Sequence, residues 1–93
     1  MKEIMLITTK GCAGCSIMRA NINKALASTQ KENIQYTEID HKDLLDKNRK
    51  QYLAINPTDF PTVVFKKNHR IVRKEVGTRP VIVVLRWIDI DFK

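Results

Sequence analysis

Short apolar runs alternate along this chain with stretches in which apolar residues return every third or fourth position. Ile4 to Thr8 is the first run, flanked by charge and closed by Lys10-Gly11, the pattern of a buried strand ending in a turn. From Cys15 onward Met18, Ile22, Ala25, Leu26 and Thr29 fall on one stripe, which predicts a helix from about Cys12 to Lys31. Asn33 stops that helix, and the β-branched and aromatic mixture from Ile34 to Ile39 predicts a second strand. Asp40, with Asp43 behind it, has the chemistry of a helix N-cap and an acidic first turn. Leu44, Leu45, Tyr52 and Leu53 give that single helix an apolar side, and it must end before Asn56-Pro57.

Thr62 to Phe65 is a strongly β-prone run, Lys67-Asn68-His69 has turn character, and Ile71 to Val76 can pair back, so the pattern predicts a hairpin. Thr78 can cap a last helix that has Pro80 in its first turn, where a missing N–H does no harm. The residues after it read two ways. Val81 to Val84 favour a strand by propensity, whereas Val81, Val84, Leu85, Ile88 and Phe92 make a helical stripe. Taken as a helix, the segment completes the order β-α-β-α-β-β-α. A parallel pair joined by a crossover helix, followed by an antiparallel hairpin, predicts an α/β fold with a four-stranded mixed sheet flanked by helices.

A chain of 93 residues suits a single domain over residues 1–93, since lengths near 100 build one core. No segment approaches the roughly 20 apolar residues that span a bilayer, and the N-terminal run is broken by Glu3 and soon meets Thr8, Thr9 and Lys10. A soluble, cytoplasmic protein without membrane association is expected. The net charge of +7 favours anionic partners. Its basic residues are dispersed, with concentrations at Lys42, Lys47, Arg49 and Lys50 and at Lys66, Lys67, Arg70, Arg73 and Lys74. Aromatic residues do not interleave with them as a base-stacking platform requires, so solvated basic faces are the simpler reading and no nucleic acid is expected.

The two cysteines cannot form a disulfide framework, because their loop is too short to staple a fold. Cys12-Ala13-Gly14-Cys15 sits instead where a strand ends and a helix begins. There Cys12 meets the positive end of the helix dipole and unpaired backbone N–H groups, both of which favour thiolate over thiol. Cys12 is therefore the expected nucleophile, and Cys15, one turn inside the helix, the sheltered resolving thiol. Lys10 would add a cation near the thiolate or meet an anionic substrate group, with an ordinary solvated turn lysine as the competing reading. The rival use of the motif is zinc. A structural site wants four ligands, and the chain offers only these two cysteines with His41 and His69 at no recognised spacing, so no metal is expected. Both histidines read as surface residues, at a helix start and a hairpin turn.

Thr9-Lys10-Gly11-Cys12-Ala13-Gly14-Cys15 is similar to the active-site turn of the glutaredoxin-type members of the thioredoxin and glutaredoxin superfamily. Phe60-Pro61-Thr62, running into Val63-Val64-Phe65-Lys66-Lys67-Asn68, resembles the thioredoxin segment in which a cis-proline opens the third strand, and Gly77 matches the glycine before the last helix in this superfamily. Gly77-Thr78-Arg79-Pro80 also resembles the redoxins dedicated to ribonucleotide reductase. The likeness covers nearly the whole chain and implies a thioredoxin-like fold. It further implies that Pro61 is cis and faces the dithiol, blocking metal capture, and that Phe60 offers its backbone to an extended substrate segment. By sequence alone Pro61 would be a strand-start proline, and most X-Pro bonds are trans.

The resemblance further implies a thiol–disulfide oxidoreductase that needs no cofactor beyond its reversible Cys12–Cys15 disulfide. Disulfide-containing proteins would be its substrates, and a thioredoxin-reductase-like enzyme or glutathione its electron donor. Lys10, Ala13, Gly14, Phe60 and Gly77 would line the substrate contact of a monomer. Three departures stand out. The motif has no internal proline, Leu6 occupies the position of the buried acid of thioredoxins, and the glutathione-binding Gly-Gly with its following acid is replaced by Gly77-Thr78-Arg79. The alternative is a non-catalytic binding module that uses the basic surface or the last helix, where Val83, Trp87 and Ile90 form a second apolar stripe.

Overall fold

The computed structural model describes all residues from Met1 to Lys93. Strand β1 spans Lys2–Thr8, helix α1 Ala13–Ser28 and strand β2 Ile34–Asp40. Helices α2 (His41–Lys47) and α3 (Arg49–Ile55) follow, then strands β3 (Thr62–Lys67) and β4 (Arg70–Val76) and helix α4 (Val81–Asp91). The four strands lie in the order β2-β1-β3-β4, with β1 parallel to β2 and antiparallel to β3, and with β3 antiparallel to β4. The α/β fold with a mixed four-stranded sheet is therefore as the residue pattern predicts.

Ile4 to Ile7 are all buried because β1 is central and has a packed layer on each side. Successive side chains point to opposite faces. Ile4 and Leu6, with Val63 and Phe65 of β3, meet Met18, Ile22 and Ala25 of α1 and Val84, Trp87, Ile88 and Phe92 of α4. Met5, Ile7 and Val64 meet Leu44 of α2 and Ile55 of α3 on the other face. Phe65 anchors the larger core, stacked on Phe92 with centroids 5.2 Å apart and edge-on to Trp87 at 6.0 Å. Arg73 lies over the outer side of Trp87, 5.1 Å from its centroid, and pairs with Asp91 and Glu75.

Several local expectations are corrected. The single helix expected after Asp40 is two, since Asn48 leaves helical geometry (φ −148°, ψ 74°) and caps α3 by accepting from Gln51 N–H at 3.1 Å. Leu53 is consequently 60% exposed rather than packed. Helix α1 ends at Ser28, short of Lys31, because Thr29 is already extended. Pro80, not Thr78, stands at the N-cap of α4 and gives no side-chain cap. Trp87 is buried in the core, so no stripe of Val83, Trp87 and Ile90 is open for docking. The β3–β4 ladder shifts register by a bulge between Phe65 and Lys66.

Candidate active site

Three segments meet at one end of the sheet. Thr8 and Asp40 are paired at the C-terminal ends of β1 and β2, and Ile7 pairs with Thr62 at the start of β3. The turn after β1 therefore leads into α1 beside the loop that enters β3. Gly11 makes that turn with φ +71°, a conformation that side chains resist. Cys12 is the N-cap of α1, extended at φ −95° and ψ 98°, and its Sγ accepts a hydrogen bond from Cys15 N–H at 3.0 Å. The two cysteines are joined as a disulfide, with Cα atoms 5.3 Å apart. Cys15 is only 3% exposed, whereas Cys12 is partly open to solvent.

Pro61 stands against this turn, and the Phe60–Pro61 peptide bond is cis. A Cβ placed on Gly14 would lie 3.2 Å from both Pro61 Cδ and Thr78 Cγ2, a tight contact, so three segments approach closely at this glycine. Gly77 N–H donates to Pro61 O at 2.9 Å, and Gly77 holds φ +93° to do so. Asn21 of α1 donates to Arg79 O at 2.9 Å and ties the loop before α4 to the helix that carries the cysteines. Thr62, fully buried, donates its hydroxyl to Asp59 O at 2.5 Å and fixes the loop that leads to Pro61.

Among the residues expected at the site, Cys12, Cys15, Gly14, Pro61 and Gly77 are thus brought together. Ala13 is exposed on the first turn of α1, Phe60 is half-buried, and Lys10 is exposed and makes no side-chain hydrogen bond or ion pair. Two residues escaped the sequence reading. Thr78, expected to cap α4, instead packs its methyl against Gly14. His41, expected to be a plain surface residue, packs against Phe60 with ring centroids 4.7 Å apart and planes tilted by 39°. Its place directly after β2, at the strand end that faces the same pole, was the available signal.

The groups with displaced acidity lie on other parts of the fold. Tyr36 is pushed up to about 12, chiefly by burial. Arg19 is raised by its hydrogen bond to Glu38, and Arg73 by its hydrogen bond to Asp91. No group of three His, Cys, Asp or Glu side chains gathers where it could hold a metal ion. The three surface grooves of the molecule do not include Cys12, Cys15 or Pro61. Of the two cysteines, only Cys12 reaches solvent.

No protein-family model matches the sequence, and no curated protein matches it significantly. Solved structures do. Thioredoxin from Aeropyrum pernix superposes with a TM-score of 0.77 at 21% identity, over 97% of this chain and 74% of its own. Thioredoxin-2 of the malaria parasite gives 0.75 at 18% identity, over 96% and 82%. Malassezia sympodialis thioredoxin gives 0.70 at 17% identity, over 95% and 73%. With its cysteine pair at the start of the first helix, the chain has the thioredoxin-like fold.

Proposed function

We propose that this chain is a thiol–disulfide oxidoreductase that reduces protein disulfides through Cys12 and Cys15, working as a single domain. The observation that carries the reading is the pairing of a partly exposed Cys12 with a buried Cys15 at the first turn of a helix, on a surface outside any groove. A small-molecule enzyme encloses its substrate. An open dithiol suits a disulfide presented on another protein.

In the reduced protein the Cys12 thiolate attacks one sulfur of the substrate disulfide. A mixed disulfide forms, and the other substrate sulfur leaves as a thiolate that takes up a proton. Cys15 then loses its proton and attacks Cys12 Sγ, which releases the second substrate thiolate and closes the Cys12–Cys15 disulfide. The substrate has gained two electrons and two protons, and the dithiol has lost them. Cys15 N–H, aimed at Cys12 Sγ, and the amino end of α1 favour the thiolate that starts the cycle. Pro61 limits approach from one side, and the backbone of Phe60 is offered to an extended substrate segment. Lys10, Ala13, Gly14 and Gly77 complete that contact.

A thioredoxin-reductase-like enzyme or glutathione would return the electrons. With Thr78 and Arg79 in place of the glycine and acid that hold glutathione in glutaredoxins, the reductase is the favoured donor. No helix is long and apolar enough to cross a membrane, and we assign the cycle to the cytoplasm. Reduction of insulin disulfides tests the activity. The wild-type protein is expected to precipitate insulin chains in dithiothreitol faster than the reagent alone. Cys12→Ser should fall to that background, and Cys15→Ser should trap mixed disulfides. Equal rates for wild type and Cys12→Ser would sink the proposal.

A further inference from the structure

Lys50 and Lys66, one from each of the two basic stretches that lie apart in sequence, line one groove away from the dithiol. Asn48, Lys50, Gln51 and Ala54 of the α2–α3 region line it from one side, and Lys66, His69 and Ile71 of the β3–β4 hairpin from the other. The groove has a volume of about 250 Å³, and no acidic side chain lines it. None of the Lys50, Lys66 and His69 side chains makes a hydrogen bond or an ion pair with the protein. Lys66 pairs with Glu3 and Thr62 with Ile7, so the groove lies about four strand residues, roughly 13 Å, beyond the Pro61 end of β3.

His69 adds an independent observation. Asn68 (φ 53°) and His69 (φ 68°) form the two central residues of the hairpin turn, both left-handed. Asparagine suits the first position, but the second is one that glycine fills without strain. A histidine there is held in a costly conformation, and what it gains is an imidazole at the groove.

We infer that this groove is a binding site for a compact phosphate-bearing anion, held by Lys50, Lys66 and His69 with the amides of Asn48 and Gln51 as neutral donors. Two lysines that make no ion pair within the protein, with an imidazole beside them, are the electrostatic complement of a multivalent oxyanion. The groove is short, and no exposed aromatic ring lines it to stack a base, which favours a small anion over a polynucleotide. The site is separate from the dithiol and does not depend on the redox reading.

Inorganic pyrophosphate is the probe, titrated into the full-length oxidised protein in about 150 mM NaCl, where exposed charges are screened beyond roughly 8 Å. Saturable amide shifts confined to residues 48–54 and 66–71 are expected in heteronuclear NMR spectra. His69→Gly should raise the thermal midpoint by relieving the turn and yet weaken pyrophosphate roughly fivefold or more. Lys50→Gln, on an exposed helical position, should weaken it comparably without a change in stability. Shifts scattered over the basic surface, failure to saturate, or wild-type affinity in both variants would overturn the assignment. So would tighter binding of an unphosphorylated single-stranded oligonucleotide at the same amides.

Discussion

Tyr36 buries its hydroxyl without a hydrogen-bond partner, a cost the fold bears for the packing of the ring against the larger core. Its phenol is pushed up to about 12, first by burial and then by Glu38, against the opposing pull of Arg19. The folded state thus keeps a proton that the unfolded chain releases near 10, and stability falls as pH rises from about 10 to about 12. Tyr36→Phe is expected to lack that fall and to match or exceed wild-type stability at neutral pH, by up to ~1 kcal/mol. Urea unfolding of both proteins at about pH 7 and about pH 11 checks it, since the variant's advantage should widen at the higher pH. At Gly14 the issue is space. Valine there would drive its branches into Pro61 and Thr78, and a loss of about 1–3 kcal/mol is expected from overpacking. Alanine adds helix propensity to offset a tight contact and should be near neutral, as denaturation midpoints would report. Cys12 and Cys15 were legible in the sequence because their chemistry is local, one helical turn apart. The contacts of Gly14 were not, since its partners come from residues distant in the chain.

Secondary structure followed the residue pattern wherever periodicity and burial agreed, as in Ile4–Ile7 and in Met18, Ile22 and Ala25. Where an apolar stripe ran past a cap, the stripe misled. Leu44, Leu45, Tyr52 and Leu53 keep helical spacing across Asn48, yet Asn48 with Gln51 three residues on is itself a start signal. Asn48→Ala should therefore cost about 1 kcal/mol through loss of the α3 cap, read from chemical denaturation, with the dithiol chemistry unchanged. Helix α4 shows the opposite balance. Its valines and isoleucines prefer strand, and packing of Val84, Trp87, Ile88 and Phe92 on the sheet overrides that preference. The position of Trp87 was hidden for the same reason: a ring one position from Ile88 reaches inward because Phe65 offers an edge contact there.

At the scale of the whole molecule the order of strands and helices was the most legible property, since crossover and hairpin rules leave few arrangements of these elements. The meeting of Lys50 and Lys66 in one groove was not, because it depends on how the α2–α3 region and the hairpin pack across the sheet. The order β2-β1-β3-β4 also leaves β4 as an outer strand with Ile71, Val72 and Val76 exposed, an invitation to strand pairing between copies. The bulge between Phe65 and Lys66 breaks that invitation. It kinks the ribbon next to Ile71 and Val72 and leaves Arg70 and Lys74 exposed along the rim, so a second copy would meet a bent edge bearing its own charge. Sedimentation is accordingly expected to give one species of 10.8 kDa across a wide concentration range. One inserted residue in a ladder thus acts as a guard against self-templated aggregation.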